Sequence, residues 1–391
     1  MAKSHGTAAM SEGNGVIHLV LSLDYEIFGN GSGDVRRDMI EPTRRLLALC
    51  DAHGAKLSIF LEVGEYWAMK QAEQAGTLRL GYSPSGEIEE QLREAVRRGH
   101  DVQLHLHPWW IEAAFEENRW RLCPQYLRIT DLPHGLGSQG DPLSVVGVLY
   151  AGKSTLEALL RPVSPEYECL AYRAAMFWGQ PSHELIAGMK AVGLVADSSV
   201  VSGLHETAPA PTDYRQAPSA MGCWWTSADD IGRAGPAGEH IVEFPVCSEM
   251  RPYLCNFKWN KLRTSLQRRR IEKDNLHGHG MMEARKSRDS LGTLLRKLAT
   301  RQPLKYDFCK LSAQDMIRRL QQIVRADQRE GADDRPVVML GHSKDFWNDR
   351  HLDTFLAFVE EQCEGHSSFK TLANVVKAVV AEWDCHSGGP V

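Results

Sequence analysis

Two pairs of ionisable residues in this chain are spaced to do chemistry together. In the segment 101–110 (DVQLHLHPWW), His105 and His107 stand two residues apart at the end of an apolar run. In the segment 21–29 (LSLDYEIFG), Asp24 and Glu26 have the same relation. Residues i and i+2 of an extended strand project from one face, so each pair offers two side chains to one side. Two neutral imidazoles and one carboxylate, with a position left for water, form a common catalytic zinc arrangement. If the two strands are near each other, both pairs converge on one divalent ion. Zinc is the first expectation, and cobalt, nickel or manganese would suit the same donors. The fourth group is then free to act as a base. A His-x-His triplet alone is weak, since it more often marks strand-end polar residues hydrogen-bonded in a loop. A second one, His277 and His279, sits in a stretch that reads as loop.

These residues need elements to hold them. Seven short apolar runs recur at 16–24, 55–63, 101–107, 169–175, 194–200, 240–246 and 336–343. Most are aliphatic or β-branched, as strands buried on both faces of a parallel sheet are. Helix-compatible segments lie between most of them, including 39–52, 87–98 and 183–192, the last closed by Gly193. The alternation argues for an α/β fold with a parallel sheet, and seven units suggest a closed or nearly closed barrel. In such folds the chemistry gathers at the C-terminal ends of the strands. Those ends carry Asp24 and Glu26, Glu62, His105 and His107, Arg173, Asp197, Glu243 and His342.

In this order the motifs resemble the polysaccharide deacetylase superfamily (NodB homology, the fourth carbohydrate-esterase family). They are SLDYE at 22–26, GHDVQLHLH at 99–107, YRAAMFW at 172–178, VADSSV at 195–200 and LGHS at 340–343. The resemblance runs from about residue 16 to 345. It implies a distorted (β/α)7 barrel of the glycoside hydrolase and deacetylase type, and removal of an N-acetyl group from a sugar. It further implies Asp24 as general base, Glu26 and His105 as metal ligands, and Arg173 as the group that orients Asp24. Asp197 would tune His342, the general acid. Two departures bear on the metal. Tyr25 separates two acids that are usually adjacent, and Trp109 stands where the second metal histidine usually falls. His107 takes that role by inference from spacing. Trp109, Trp110 and Trp178 either stack on a sugar ring at the rim or pack in the core, and Glu62 and Glu243 are candidates to support the site from behind.

The rest of the chain bounds the reading. With 391 residues, 43% apolar, and a net charge of −5, nothing calls for a nucleic-acid or membrane-surface partner. Residues 1–15 read as a disordered polar tail without the apolar core of a secretion signal, so the cytosol is expected. One barrel domain is expected over 16–391. Nine cysteines form no CxxC pair, which suits packed thiols in a reducing compartment. Residues 209–238 read as a long loop. Residues 258–305 hold fourteen Lys or Arg against four Asp or Glu and read as a solvated helical insertion, or else as a surface for an anionic group. Other function classes remain open: a glycan-binding barrel without turnover, or a hydrolase of a non-sugar amide or cyclic ureide. The string 147–155 (GVLYAGKST) also fits a phosphate-binding P-loop. Its bulky interior and the lack of a clear strand before it argue instead for a surface turn leading into a helix.

Overall fold

The computed structural model describes residues 15–252, 300–330, 334–363 and 365–387. The expected tail, the His277/His279 pair and most of the basic segment lie outside the described residues. The described end of that segment, Arg301–Lys305, is a strand and not helix; it pairs antiparallel with Ser248–Pro252. Pro303 has no N–H for a helix interior, and it faces Met250 in this two-stranded ribbon, where a proline is tolerated.

All seven apolar runs contain a strand, and the seven lie parallel in one sheet. They are β1 (Ile17–Tyr25), β2 (Leu57–Glu62), β3 (Asp101–Leu106), β4 (Ala171–Ala174), β5 (Ala196–Asp197), β6 (Val242–Glu243) and β7 (Arg335–His342). Their spatial order is β6-β5-β4-β3-β2-β1-β7. Trp224–Trp225 pairs antiparallel on the β6 edge, and Ser367–Phe369 lies beside the first residues of β1. The sheet curls until its ends touch. Val246, just past β6, bridges Val338 of β7, and Cys247 N donates to Val338 O at 2.8 Å.

Helices α1 (Glu41–Ala52), α2 (Val63–Gln74), α3 (Pro84–Arg97), α4 (Val145–Leu160), α5 (His183–Val192) and α6 (Ala313–Glu330) connect the strands. α7 (Asp349–Gln362) and α8 (Leu372–Ser387) follow β7. Strict β/α alternation fails twice, because two helices separate β2 from β3 and none joins β5 to β6. The long loop expected there contains a short hairpin, His205–Glu206 with Thr212–Asp213, and the Trp224–Trp225 edge strand. The fold is mixed α/β with a curled sheet and not seven regular β/α units. Gly193 closes α5 with φ +71°, as its place after the helix implies.

Strand alternation sorts the core in two. Val20, Phe60, Ala171, Ala196, Val242 and Val338 form an inner layer with Phe244, closed by Leu372, Val375 and Val376 of α8. The other parity packs outward under the helices, as with Leu21, Ile59, Leu104 and Met339. The P-loop-like string lies inside α4, so its amides are committed to helix bonds and cannot cradle a phosphate. Ser144 caps α4, accepting from Gly147 N at 3.1 Å. Gly152 is there for packing, since a Cβ would come within 2.7 Å of Leu104. Lys153 donates to Cys169 O at 2.6 Å and pairs with Glu157 at 3.0 Å. The eight cysteines among the described residues are all free, and burial pushes Cys50 and Cys169 up to about 12.

His100, buried between α3 and β3, accepts the Leu57 amide on Nδ1 at 3.0 Å. Burial outweighs the neighbouring Asp51 and pushes its pKa down from 6.5 to about 4. A histidine with a depressed folded pKa stabilises above its unfolded value, and that stability is lost as pH falls through 6.5 toward 4. About 2 kcal/mol of stability should therefore disappear between pH 7 and pH 5 through this residue. Urea unfolding of His100→Gln over the same range should show a correspondingly flatter pH dependence. An unchanged slope would place the acid sensitivity elsewhere.

Candidate metal and hydrolytic site

Register brings the strand-end residues together. Asp24 lies opposite His342 across β1 and β7, and His105 opposite Arg173 across β3 and β4. Asp24 shares the parity of Val20, His342 that of Val338, and Arg173 that of Ala171, so all three belong to the inner face. Asp24, Glu26, His105, His107 and Arg173 are buried to 3% exposure or less.

The first half of the site is an ion pair. Arg173 Nη1 donates to Asp24 Oδ1 at 2.6 Å, and Nη2 donates to Ser22 Oγ at 3.0 Å and Ser198 Oγ at 2.9 Å. Its Nε donates to Ser198 O at 2.9 Å, and the guanidinium lies 4.0 Å above the Phe60 ring. Burial opposes the Asp24 charge, but Arg173, His105 and His342 outweigh it and hold the carboxyl below its ordinary range. His342 Nε2 lies 3.5 Å from the second Asp24 oxygen, Oδ2.

Two residues along, Glu26 makes the other half. Its Oε2 faces His107 Nε2 at 3.0 Å and His105 Nε2 at 3.4 Å, and the ligating atoms of the three residues lie within 4.8 Å of one another. His105 Nδ1 lies 2.8 Å from Arg173 O, which can only accept, so this nitrogen carries a proton and Nε2 is the lone pair of the neutral ring; burial disfavours the charged ring, but Asp24 and Glu26 outweigh it and raise the His105 pKa. Nε2 thus faces a buried carboxylate oxygen, Oε2 of Glu26, that has no hydrogen-bond partner beyond the two imidazoles among the described residues. That juxtaposition suits a shared cation, and the imidazole N–H on a backbone carbonyl is how metal-binding histidines are ordinarily oriented. The donor set therefore fits a divalent ion. Burial works against the Glu26 charge, yet Lys344 and the two histidines hold its carboxyl well below the usual range. Burial lowers His107, the right direction for a neutral ligand.

Some residues stand elsewhere than their motifs imply. Asp197 does not meet His342. Its Oδ1 accepts Ser199 N and its Oδ2 accepts Ser199 Oγ, each at 2.9 Å, and Ser199 Oγ in turn accepts Ala174 N at 2.8 Å. Asp197 pairs in register with Glu243, one residue off the inner-facing Ala196 and Val242, so both acids lie on the outer face. Burial and the Asp197 charge push Glu243 well up, and burial raises Asp197 as well. Asp197 therefore braces the backbone just after Arg173. Trp109 and Trp110 are buried, and Trp109 stacks on His107 with centroids 4.5 Å apart, so neither forms a rim platform. Trp178 is buried as well and donates to Glu206 Oε2 at 2.6 Å. Glu62 supports the site through backbone: its Oε1 accepts His107 N at 2.7 Å, and it caps α2. Burial pushes it up to about 8.

Sequence reasoning missed three lysines. Lys344 donates from Nζ to Glu26 Oε1 at 2.6 Å and to Ile27 O at 2.9 Å. Lys305 and Lys310 line a cavity of about 290 Å³ with His342. The signal for Lys344 was its place two residues after His342; nothing in the pattern singled out the other two.

Neither a family model nor a curated protein matches the sequence. Solved structures of similar form include a protein of Mycobacterium smegmatis assigned as a polysaccharide deacetylase, 12% identical with TM-score 0.41, covering 97% of this chain and 95% of that one. Another, from Pseudomonas aeruginosa PAO1 and likewise assigned, is 12% identical with TM-score 0.42 over 94% and 91% of the two chains. The Puue allantoinase is 11% identical with TM-score 0.43 over 94% and 90%.

The buried ion pair makes a testable demand. Arg173→Met leaves the Asp24 charge without its partner and should cost about 3–5 kcal/mol in chemical unfolding. Adding Asp24→Asn removes the stranded charge and should recover part of that loss. A double variant no more stable than the single one would mean that Arg173 acts through packing alone.

Proposed function

We propose that the protein is a metal-dependent amidohydrolase that removes the acetyl group from an N-acetylated sugar. One observation carries this reading. An orphaned carboxylate oxygen of Glu26 faces two imidazoles, beside an Asp24 kept ionised by a guanidinium without exposed surface. Glu26, His105 and His107 would hold the ion, zinc first among the divalent metals that these donors accept. When bound, such an ion polarises a water and the amide carbonyl as a Lewis acid. Asp24, charged at neutral pH and aimed by Arg173, takes the proton of the water. Arg173 aims and does no more, because its bonds go to Asp24, Ser22 and Ser198. His342 steadies the second oxygen of Asp24.

The order of the five motifs supports an N-acetyl sugar as substrate class. Met176 and Trp347, on the segments that leave Arg173 and His342, are 44% and 40% exposed and offer apolar surface to a sugar ring. A second reading, hydrolysis of a non-sugar amide or cyclic ureide, is favoured by the burial of Trp109, Trp110 and Trp178. Screening both compound classes for product release decides between them.

Elemental analysis of the wild type should find about one divalent ion per chain, lost in His105→Ala/His107→Ala and in Glu26→Gln. Asp24→Asn should keep the ion and lose about 100- to 10,000-fold in acetate release, the span of a general base. No ion in the wild type after divalent metals are added back would overturn the mechanism, and so would substantial turnover by Asp24→Asn.

A further inference from the structure

Amide cleavage needs a proton for the departing nitrogen as well as a base for the water. His342 is poorly placed to give it. Its Nδ1 is buried without a partner, its Nε2 faces Asp24, and burial together with Lys310 pushes its pKa down to about 4. At neutral pH this imidazole is uncharged.

The cavity that His342 lines holds two lysines in different circumstances. Lys310 is committed, with Nζ 2.7 Å from Asp345 and 3.1 Å from Asp307. Lys305 has no ion pair among the described residues; its Nζ instead lies 3.7 Å from the centroid of the Phe177 ring. Phe177 belongs to the tight segment that leaves Arg173, where Met176 and Phe177 both take left-handed backbone angles, φ 51° and 67°. Lys305 thus lines the cavity beside His342 while its Nζ lies against Phe177, on the segment that leaves Arg173, an ammonium not spent on a carboxylate. Burial and Lys310 disfavour its charge, whereas Asp307, Asp24 and Glu206 favour it; the balance sets its pKa near 8. Such an amine is charged at neutral pH and still gives up its proton readily.

We infer that Lys305 is the proton donor to the leaving nitrogen, and that His342 serves Asp24 instead. The inference rests on the amidohydrolase reading above. Water adds its oxygen to the acetyl carbonyl carbon as Asp24 takes one of its protons. The carbon–nitrogen bond then breaks, its electron pair stays on nitrogen, and nitrogen takes a proton from the Lys305 ammonium. The products are the free amine and acetic acid, which ionises in solution. The proton held by Asp24 returns to Lys305 and restores both groups.

The test compares two leaving groups. Metal-loaded wild type, Lys305→Arg and Lys305→Gln are assayed on the N-acetylated sugar that the wild type turns over fastest, and on 4-nitrophenyl acetate, whose phenolate leaves without a proton. Both variants should keep wild-type metal content and ester hydrolysis. On the amide, kcat should fall by about 100-fold or more, with KM changed by less than about threefold. Wild-type kcat on the amide should decline as pH rises through about 8, where the ammonium is lost, with no such limb for the ester. Equal losses on amide and ester would make Lys305 a structural residue, and wild-type amide kcat in Lys305→Arg would overturn the proposal outright. A wild type that releases acetate from no N-acetyl compound gives a different result, which overturns the deacetylase reading and the donor role with it.

Discussion

The site depends on a guanidinium that water does not reach. Taking Arg173 out of solvent costs several kcal/mol unless its donors find acceptors, and here Asp24, Ser22 and Ser198 take four of its five N–H groups, at least one on each nitrogen. The Phe60 face adds a cation–π contact on the flat side of the group. The same residue also acts through its backbone, since Arg173 O accepts the Nδ1 proton of His105. One residue therefore aims Asp24 and orients, through its carbonyl, an imidazole that faces Glu26. Asp197 and Ser199 brace the backbone of the next residue, so a carboxylate on the outer face helps hold the inner one in register.

Asp24 stands on β1 and Glu26 directly after it, and each has its own cation, yet their surroundings differ. Arg173 bonds one oxygen of Asp24 and His342 approaches the other, so the carboxylate is aimed but still has a weakly engaged oxygen. Lys344 takes Oε1 of Glu26 and leaves Oε2 facing two imidazoles. A single free oxygen favours one-point coordination. Two acids of similar intrinsic strength are thus given different surroundings, which is what the proposed division into a base and a metal ligand requires.

The strands were legible because a parallel sheet buried on both faces leaves short apolar runs that no helix imitates at that length. The pairing of Asp24 with Glu26 and of His105 with His107 was legible because alternation is a property of one strand alone. Which parity faces inward is not, since a strand buried on both sides carries no polar face to mark it. The resemblance put Asp197 beside His342, whereas Ala196 and Ser198 are the inner-facing residues of that stretch, a parity that the sequence does not show. The surface turn expected at the P-loop-like string is helix for a similar reason. The smallness of its glycines answers to Leu104 and to the Asp141 carbonyl, contacts that exist only after α4 has packed. Lys305 was invisible because it reaches the site from a strand outside the main sheet, at the end of a segment whose charge alone drew notice.

The Trp at position 109 shows how a departure from the usual spacing can keep the chemistry. The second imidazole comes from the residue directly after β3, where Glu62 accepts the His107 amide and fixes the backbone. Trp109 stacks on its ring at an interplanar angle of 28° and limits its rotation. On the proposed reading, Trp109 packs where the resembled motif has a ligand, and the second imidazole lies two residues back toward the strand. Side chains carried on or beside regular strands are held more tightly than those on loops. The His105–His107 pair should accordingly be well organised before any ion arrives, with little ordering left for binding to impose.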